Sequence, residues 1–144
     1  MGSQPNGLWS SADGGATWTD LGIPQSHNAP QLYQATNGVF YMGSSDGVIR
    51  SPDGLAWTRA PDSGFLIQGL TGTGTTLWAS RESWDPAHVP YNPFYSASET
   101  TGVPWAHRTD TPMLINGGEL RYDRAHRLLY SSNRDAGIYR VVTP

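Results

Sequence analysis

The chain contains no lysine and no cysteine; its nine basic residues are all arginine, set against twelve acidic ones for a net charge of -3 and a pI near 5.7. A nucleic-acid surface needs clustered basic side chains, so this balance argues against one. Without cysteine there are no disulfides and no thiolate zinc sites, and the compartment stays open. Without lysine there is no phosphate-binding Gly-x-x-x-x-Gly-Lys loop, and no cofactor is implied. Charged residues make up only 15% of the chain, no apolar run reaches eighteen residues, and no apolar segment opens it. The expectation is a soluble chain with neither membrane span nor signal peptide. Also missing is any window of sustained 3.6-residue apolar periodicity, which predicts almost no helix.

What is present is turn formers and aromatics: seventeen glycines, eleven prolines, six tryptophans and seven tyrosines in 144 residues. That mixture suits many short strands joined by turns, in one domain or a portion of something larger. Four stretches align: "GLWSSADG" from Gly7, "GVIRSPDG" from Gly47, "PFYSASET" from Pro93 and "GIYRVVTP" from Gly137, with starts 40, 46 and 44 residues apart. A tryptophan follows each of the first three: Trp18, Trp57 and Trp105. This period is that of a four-stranded β-propeller blade, so residues 1–144 read as a single propeller portion.

The strands of each unit are labelled A to D from the propeller axis outward. In the second unit A falls near 31–36, B near 39–43, C near 48–51, and D begins near 56. The Asn37-Gly38 pair between A and B is a strong hairpin signal, because both residues tolerate positive φ. The third unit places A near 66–71, B near 76–80, C near 94–97 and D from 105. The fourth places A near 119–122, B near 127–131 and C from 137. "SSADGGATW" then falls on a C-to-D hairpin. Gly supplies left-handed positions, the Asp13 carboxylate accepts loop N–H groups, the Ser11 hydroxyl bonds the same loop, and Trp18 enters the space between neighbouring sheets.

Ser11, Asp13, Gly15 and Trp18 resemble the Asp-box, or BNR repeat, of sialidase-like β-propellers. Ser51, Asp53 and Trp57 in "SPDGLAW" look like the same box one residue short. In "SASETTGVPW" the pattern decays, with Glu99 in the aspartate's place and a longer spacing to Trp105. Such boxes occur in sialidases, xyloglucan-cleaving glycosidases, sortilin-type receptors, photosystem assembly factors and lectins, so the fold does not fix the function. The resemblance implies a secreted or periplasmic location.

The strand count is two, four, four and three, about three blades' worth, whereas closed propellers use four to eight. Both flanks of such a fan expose apolar surface and unpaired edge. Either this is the C-terminal half of a longer chain whose remaining blades cover them, or two copies close a six-bladed ring around a shared axis, with the sheet that ends at Val142 accepting a partner's strand from residues 16–21.

In a propeller the A–B and C–D turns share one face and the B–C and D–A connections the other; the resemblance puts the ligand face on the latter. There the third unit carries a long B–C connection, residues 80–93, with Arg81, Glu82, Trp84, Asp85, His88 and Tyr91. Aromatic faces for sugar rings and charged groups for hydroxyls suit a glycan site. A proline-stiffened lid, or a contact covering the missing half of the ring, is the alternative. Arg134 lies on the fourth unit's B–C turn, and His27, Asn28, Asp110 and Asn116 lie on D–A loops of the same face.

A sialidase needs three arginines, a Tyr-Glu nucleophile and an acid-base aspartate, and the family's Arg-Ile-Pro segment is absent. Arg50 and Arg140 occupy equivalent repeat positions toward the Asp-box face. The four histidines lack metal-ligand spacing, and the His107-Arg108 and His126-Arg127 pairs read as strand residues facing solvent. The expected function is therefore a non-catalytic propeller portion that binds carbohydrate or a protein partner. The alternatives are half of a glycoside hydrolase, sialidase- or xyloglucanase-like, and a purely structural module.

Overall fold

The computed structural model describes residues 2–3, 7–23, 31–64, 66–81, 94–111, 117–133 and 137–143. Among them every regular element is a strand, and the strands form four antiparallel sheets. Sheet one joins β1 (Gly2–Ser3), β2 (Gly7–Ser10) and β3 (Thr19–Asp20); sheet two joins β4 (Tyr33–Gln34), β5 (Phe40–Ser44), β6 (Gly47–Ser51) and β7 (Thr58–Arg59). Sheet three joins β8 (Ile67–Gly72), β9 (Thr76–Arg81), β10 (Phe94–Ser98) and β11 (Ala106–His107); sheet four joins β12 (Gly117–Asp123), β13 (Leu128–Asn133) and β14 (Gly137–Val142). Each strand pairs with the next in sequence, so every sheet is a meander.

Sheets two and three carry strands A to D, and sheet four carries A to C. Sheet one has a strand more than its sequence predicts: β1 pairs with β2 in the register Gly2↔Leu8 and Ser3↔Gly7. A Gly-Ser dipeptide has no alternation and no β-branched side chain, so it sends no strand signal. The D strands are short because the turn before them consumes the chain: Ser51 ends β6 and β7 starts only at Thr58. His107 lies exposed on β11, whereas His126 and Arg127 sit in the β12–β13 turn rather than on a strand. That turn is built on Asp123, whose Oδ1 accepts the N–H groups of Ala125 and His126 at 2.9 and 3.1 Å.

The core lies between the sheets, in three layers. Leu8 of sheet one packs with Met42 and Ile49 of sheet two. On the other side of sheet two, Tyr41 and Val48 meet Leu70, Leu77 and Ala79 of sheet three. Trp78 and Phe94, on the far face of sheet three, meet Leu120 and Leu129 of sheet four. Alternation along each strand sends successive side chains to opposite layers, which is why these strands are apolar on both faces. The A strands approach most closely. Gly72 of β8 lies against the Tyr33 ring of β4, and Gly69 of β8 lies against the Gly118 carbonyl of β12. Four sheets fanned about converging inner strands make this a portion of a β-propeller.

Candidate functional site

The two rims of the fan differ in chemistry. On the A–B/C–D rim, Ser11 Oγ donates to Asp13 Oδ1 at 2.8 Å and accepts the Gly15 N–H at 2.7 Å. Asp13 also accepts the Thr17 N–H at 2.9 Å and the Thr17 hydroxyl at 2.6 Å, and the Trp18 indole donates to the Gly15 carbonyl at 3.0 Å. The second turn repeats the circuit one residue shorter. Ser51 Oγ donates to Asp53 at 3.0 Å, Asp53 accepts the Leu55 and Ala56 N–H groups at 2.9 Å, and the Trp57 indole donates to the Gly54 carbonyl at 2.9 Å. These donors hold both carboxyls below the usual aspartate value: chiefly the Thr17 hydroxyl at Asp13, and the Ala56 N–H at Asp53. Carboxylates so engaged are turn staples, not reagents.

The third turn departs from this pattern. Glu99 is fully buried and points away from its own loop. Its Oε1 accepts the hydroxyl of Tyr33 on β4 at 2.9 Å and the N–H of Thr36 in the β4–β5 turn at 3.1 Å, while Oε2 accepts the N–H of Gly74 in the β8–β9 turn at 2.8 Å. Burial, and then the adjacent carboxylate, push the Tyr33 phenol above its usual range. Arg50 makes a second tie across the same two sheets, donating to the Thr101 carbonyl at 3.0 Å. Trp105 is buried among sheets two and three and Trp57 is partly buried against sheet one. Trp18, expected between sheets, is instead largely exposed, because no sheet precedes sheet one among the described residues.

On the B–C/D–A rim, Arg81 is half-buried at the end of β9, opposite Ile67. Glu82, Trp84, Asp85, His88 and Tyr91 lie outside the described residues, as do Arg134, His27, Asn28 and Asn116. Asp110 is described: Arg108 grips it through Nε at 2.8 Å and through a second, shorter contact from Nη2. That grip lowers the Asp110 carboxyl below its usual value. The same guanidinium lies 5.1 Å from the centre of the Trp78 ring, within cation–π range.

Trp78, Phe94, Leu129, Tyr139 and Val141 line a narrow apolar crevice between sheets three and four, with room for about one water molecule. The Trp78 indole N–H is buried without a partner. Sequence reading missed this crevice: its members lie far apart in the chain, and each reads singly as a strand residue. Chemically it is an apolar crevice, and the Arg108–Asp110 pair lies beside the Trp78 ring. Among the described residues no three His, Cys, Asp or Glu side chains converge to hold a metal, and no helix is long and apolar enough to cross a membrane.

The class this geometry defines is the β-propeller, and solved structures carry the same fold. An ancestral GH74 enzyme superposes on 99% of this chain with a TM-score of 0.67 at 14% identity, the chain covering 21% of its length. The extracellular domain of a one-component system from B. thetaiotaomicron matches 86% of the chain at TM-score 0.60 and 16% identity, over 16% of its own length. A structure of the nidogen/laminin complex matches 78% of the chain at TM-score 0.55 and 17% identity, over 42% of its own length. The chain therefore spans about a fifth of the first of these propeller proteins. No family model and no curated protein matches it.

Proposed function

We propose that this chain is a non-catalytic portion of an Asp-box β-propeller that binds carbohydrate on its B–C/D–A rim. The Asp-box assignment is supported by the two matching Ser-Asp-Trp circuits at residues 11–18 and 51–57. The observation that carries the binding reading is the exposed Arg108–Asp110 pair, fixed in place beside the Trp78 ring on the B–C/D–A rim. A fixed ion pair offers donors and acceptors to sugar hydroxyls. The end of β9 and its connection to β10 carry Arg81, Glu82, Trp84, Asp85, His88 and Tyr91, and the connection between β13 and β14 carries Arg134; these are the further contacts the reading calls for.

Calorimetric titration against a glycan panel tests the reading. At least one glycan is expected to bind, with affinity falling about tenfold in Arg108→Ala, a loss typical of one charged hydrogen bond. Asp13→Asn, on the opposite rim, is expected to leave affinity unchanged. Absence of binding by every glycan overturns the proposal.

A second reading, half of a glycoside hydrolase, is favoured by the GH74 likeness over nearly the whole chain. It requires turnover of fluorogenic glycosides that disappears in Glu82→Ala or Asp85→Ala.

A further inference from the structure

Three asparagines precede a glycine, Asn6, Asn37 and Asn116, and of these Asn37 alone lies among the described residues. The pairing carries a reaction of its own. A glycine has no side chain to shield its nitrogen, so that nitrogen reaches the side-chain carbon of the preceding asparagine wherever the backbone is free to turn. The Asp-Gly pairs at Asp13, Asp46 and Asp53 offer carboxylates instead, which react only when protonated.

Three hydrogen bonds hold Asn37 out of the reactive geometry. The residue is exposed in the β4–β5 turn, followed by Gly38 at a φ of 86°. The Gly38 N–H, whose proton must leave before its nitrogen can attack, donates to the Ala35 carbonyl at 2.9 Å. Asn37 Oδ1 accepts the Val39 N–H at 3.1 Å, and Nδ2 reaches across to the Thr100 carbonyl in the β10–β11 turn at 3.3 Å. Glu99, beside Thr100, anchors the preceding residue by accepting the Thr36 N–H at 3.1 Å. The turn is thus closed from sheet three as well as from within.

We infer that Asn37-Gly38 is a modification site which the fold keeps latent, and which reacts when the turns of sheets two and three part. The Gly38 nitrogen gives its proton to water and bonds to Asn37 Cγ; the Cγ–Nδ2 bond breaks and ammonia departs, leaving a cyclic imide. Water then opens the ring. Cleavage between Cγ and the Gly38 nitrogen gives aspartate, and cleavage at the Asn37 main-chain carbonyl gives isoaspartate, whose backbone is longer by a methylene. Both products lack the amide that donated to Thr100. The new carboxylate has both signs near it, Glu99 on the Thr36 N–H and Arg50 on the Thr101 carbonyl at 3.0 Å, so charge decides little. The added methylene decides more, because the Ala35 N–H must still reach the Val39 carbonyl, now 2.9 Å away. An isoaspartyl turn no longer recloses on sheet three, and the opening becomes permanent. This inference is independent of the glycan reading.

Tandem mass spectrometry of digests, taken while the chain stands at mildly alkaline pH, measures conversion at Asn37, and labelling by an isoaspartyl methyltransferase identifies the isoaspartate. Conversion in the folded chain should be at least about tenfold slower than in the same chain held unfolded in urea, because only the opened turn reacts. Glu99→Ala should speed conversion under native conditions. Tyr33→Phe, which removes only one of the bonds that hold Glu99, should do the same to a smaller extent, with the circular dichroism of the wild type; it carries the test if Glu99→Ala does not fold. The isoaspartyl chain should unfold at lower urea than Asn37→Asp, which gains the charge without the methylene. Equal rates in the folded and unfolded chain, no acceleration in Tyr33→Phe, or an isoaspartyl chain as stable as Asn37→Asp overturns the inference.

Discussion

Asp53 accepts three hydrogen bonds on one carboxylate oxygen and still remains at the surface, a combination that ties its charge to the shape of the turn. Asp13 and Asp123 do the same work at other turns, and Asp110 does it in its pair with Arg108; all four carboxyls are lowered from an ordinary 3.8. The sign of the pH dependence follows. A group whose folded value is depressed contributes stability that is complete above its unfolded value and disappears as pH falls through the folded one. The melting temperature, followed by circular dichroism, should therefore hold steady from about pH 7 to 5 and drop from about pH 4 downward. In Asp53→Asn the melting temperature at neutral pH should be lower and the acid decline shallower. A decline equally steep in the variant would mean that the turn draws nothing from the charge. This level was legible in the sequence, because Ser-x-Asp-Gly turns satisfy their donors within a few residues of themselves.

Between elements, legibility falls with the distance a contact spans. Strands A to C of sheets two to four were placed to within a few residues, since apolar runs and glycine turns mark them locally. Glu99 was not. Beside Ser98 and Thr100 it looks like a decayed box, yet its carboxylate ties the A–B turn of sheet two to that of sheet three, reaching Tyr33 and Thr36 far back in the chain. Removing it leaves the N–H groups of Thr36 and Gly74 and the Tyr33 hydroxyl without their acceptor in a partly buried site. Each such loss costs about 1 to 3 kcal/mol, and water reaching the emptied site recovers part, so Glu99→Ala should destabilise by about 3 kcal/mol in urea unfolding. Glu99→Gln keeps the shape but turns one acceptor into a donor facing an N–H, and should lose roughly half as much. If Glu99→Ala unfolds at the wild-type urea midpoint, the tie between the turns is incidental.

At the scale of the whole molecule, the 40- to 46-residue period disclosed the propeller but not what allows its sheets to converge. The packing shows this at Gly69. The registers of β8 against β9 and of β12 against β13 both slip where they begin, between Ile67 and Gly69 and between Gly117 and Leu120. Those two irregular stretches face each other. A methyl group at Gly69 would meet the Gly118 carbonyl oxygen and lie 2.8 Å from the Leu120 nitrogen. The Gly118 and Leu120 obstacles are backbone, which cannot swing aside as a side chain does, and the Ser80 hydroxyl, 2.7 Å away, is bonded to the Gly118 carbonyl, so relief requires that sheets three and four spread near the axis. Spreading would open the layer where Trp78 and Phe94 pack on Leu120 and Leu129, and with it the crevice beside Tyr139. Overpacking of a well-filled core costs about 1 to 3 kcal/mol, and a rigid backbone obstacle belongs at the upper end. Gly69→Ala should therefore lower stability by about 3 kcal/mol. Gly64→Ala supplies the control: its new methyl meets only the end of the Arg59 side chain at 3.2 Å, and its effect should stay within about 0.5 kcal/mol. Urea unfolding of both variants decides the matter. Equal and small losses would show that the sheets can part at no cost, and that convergence of the inner strands is not what holds the fan together.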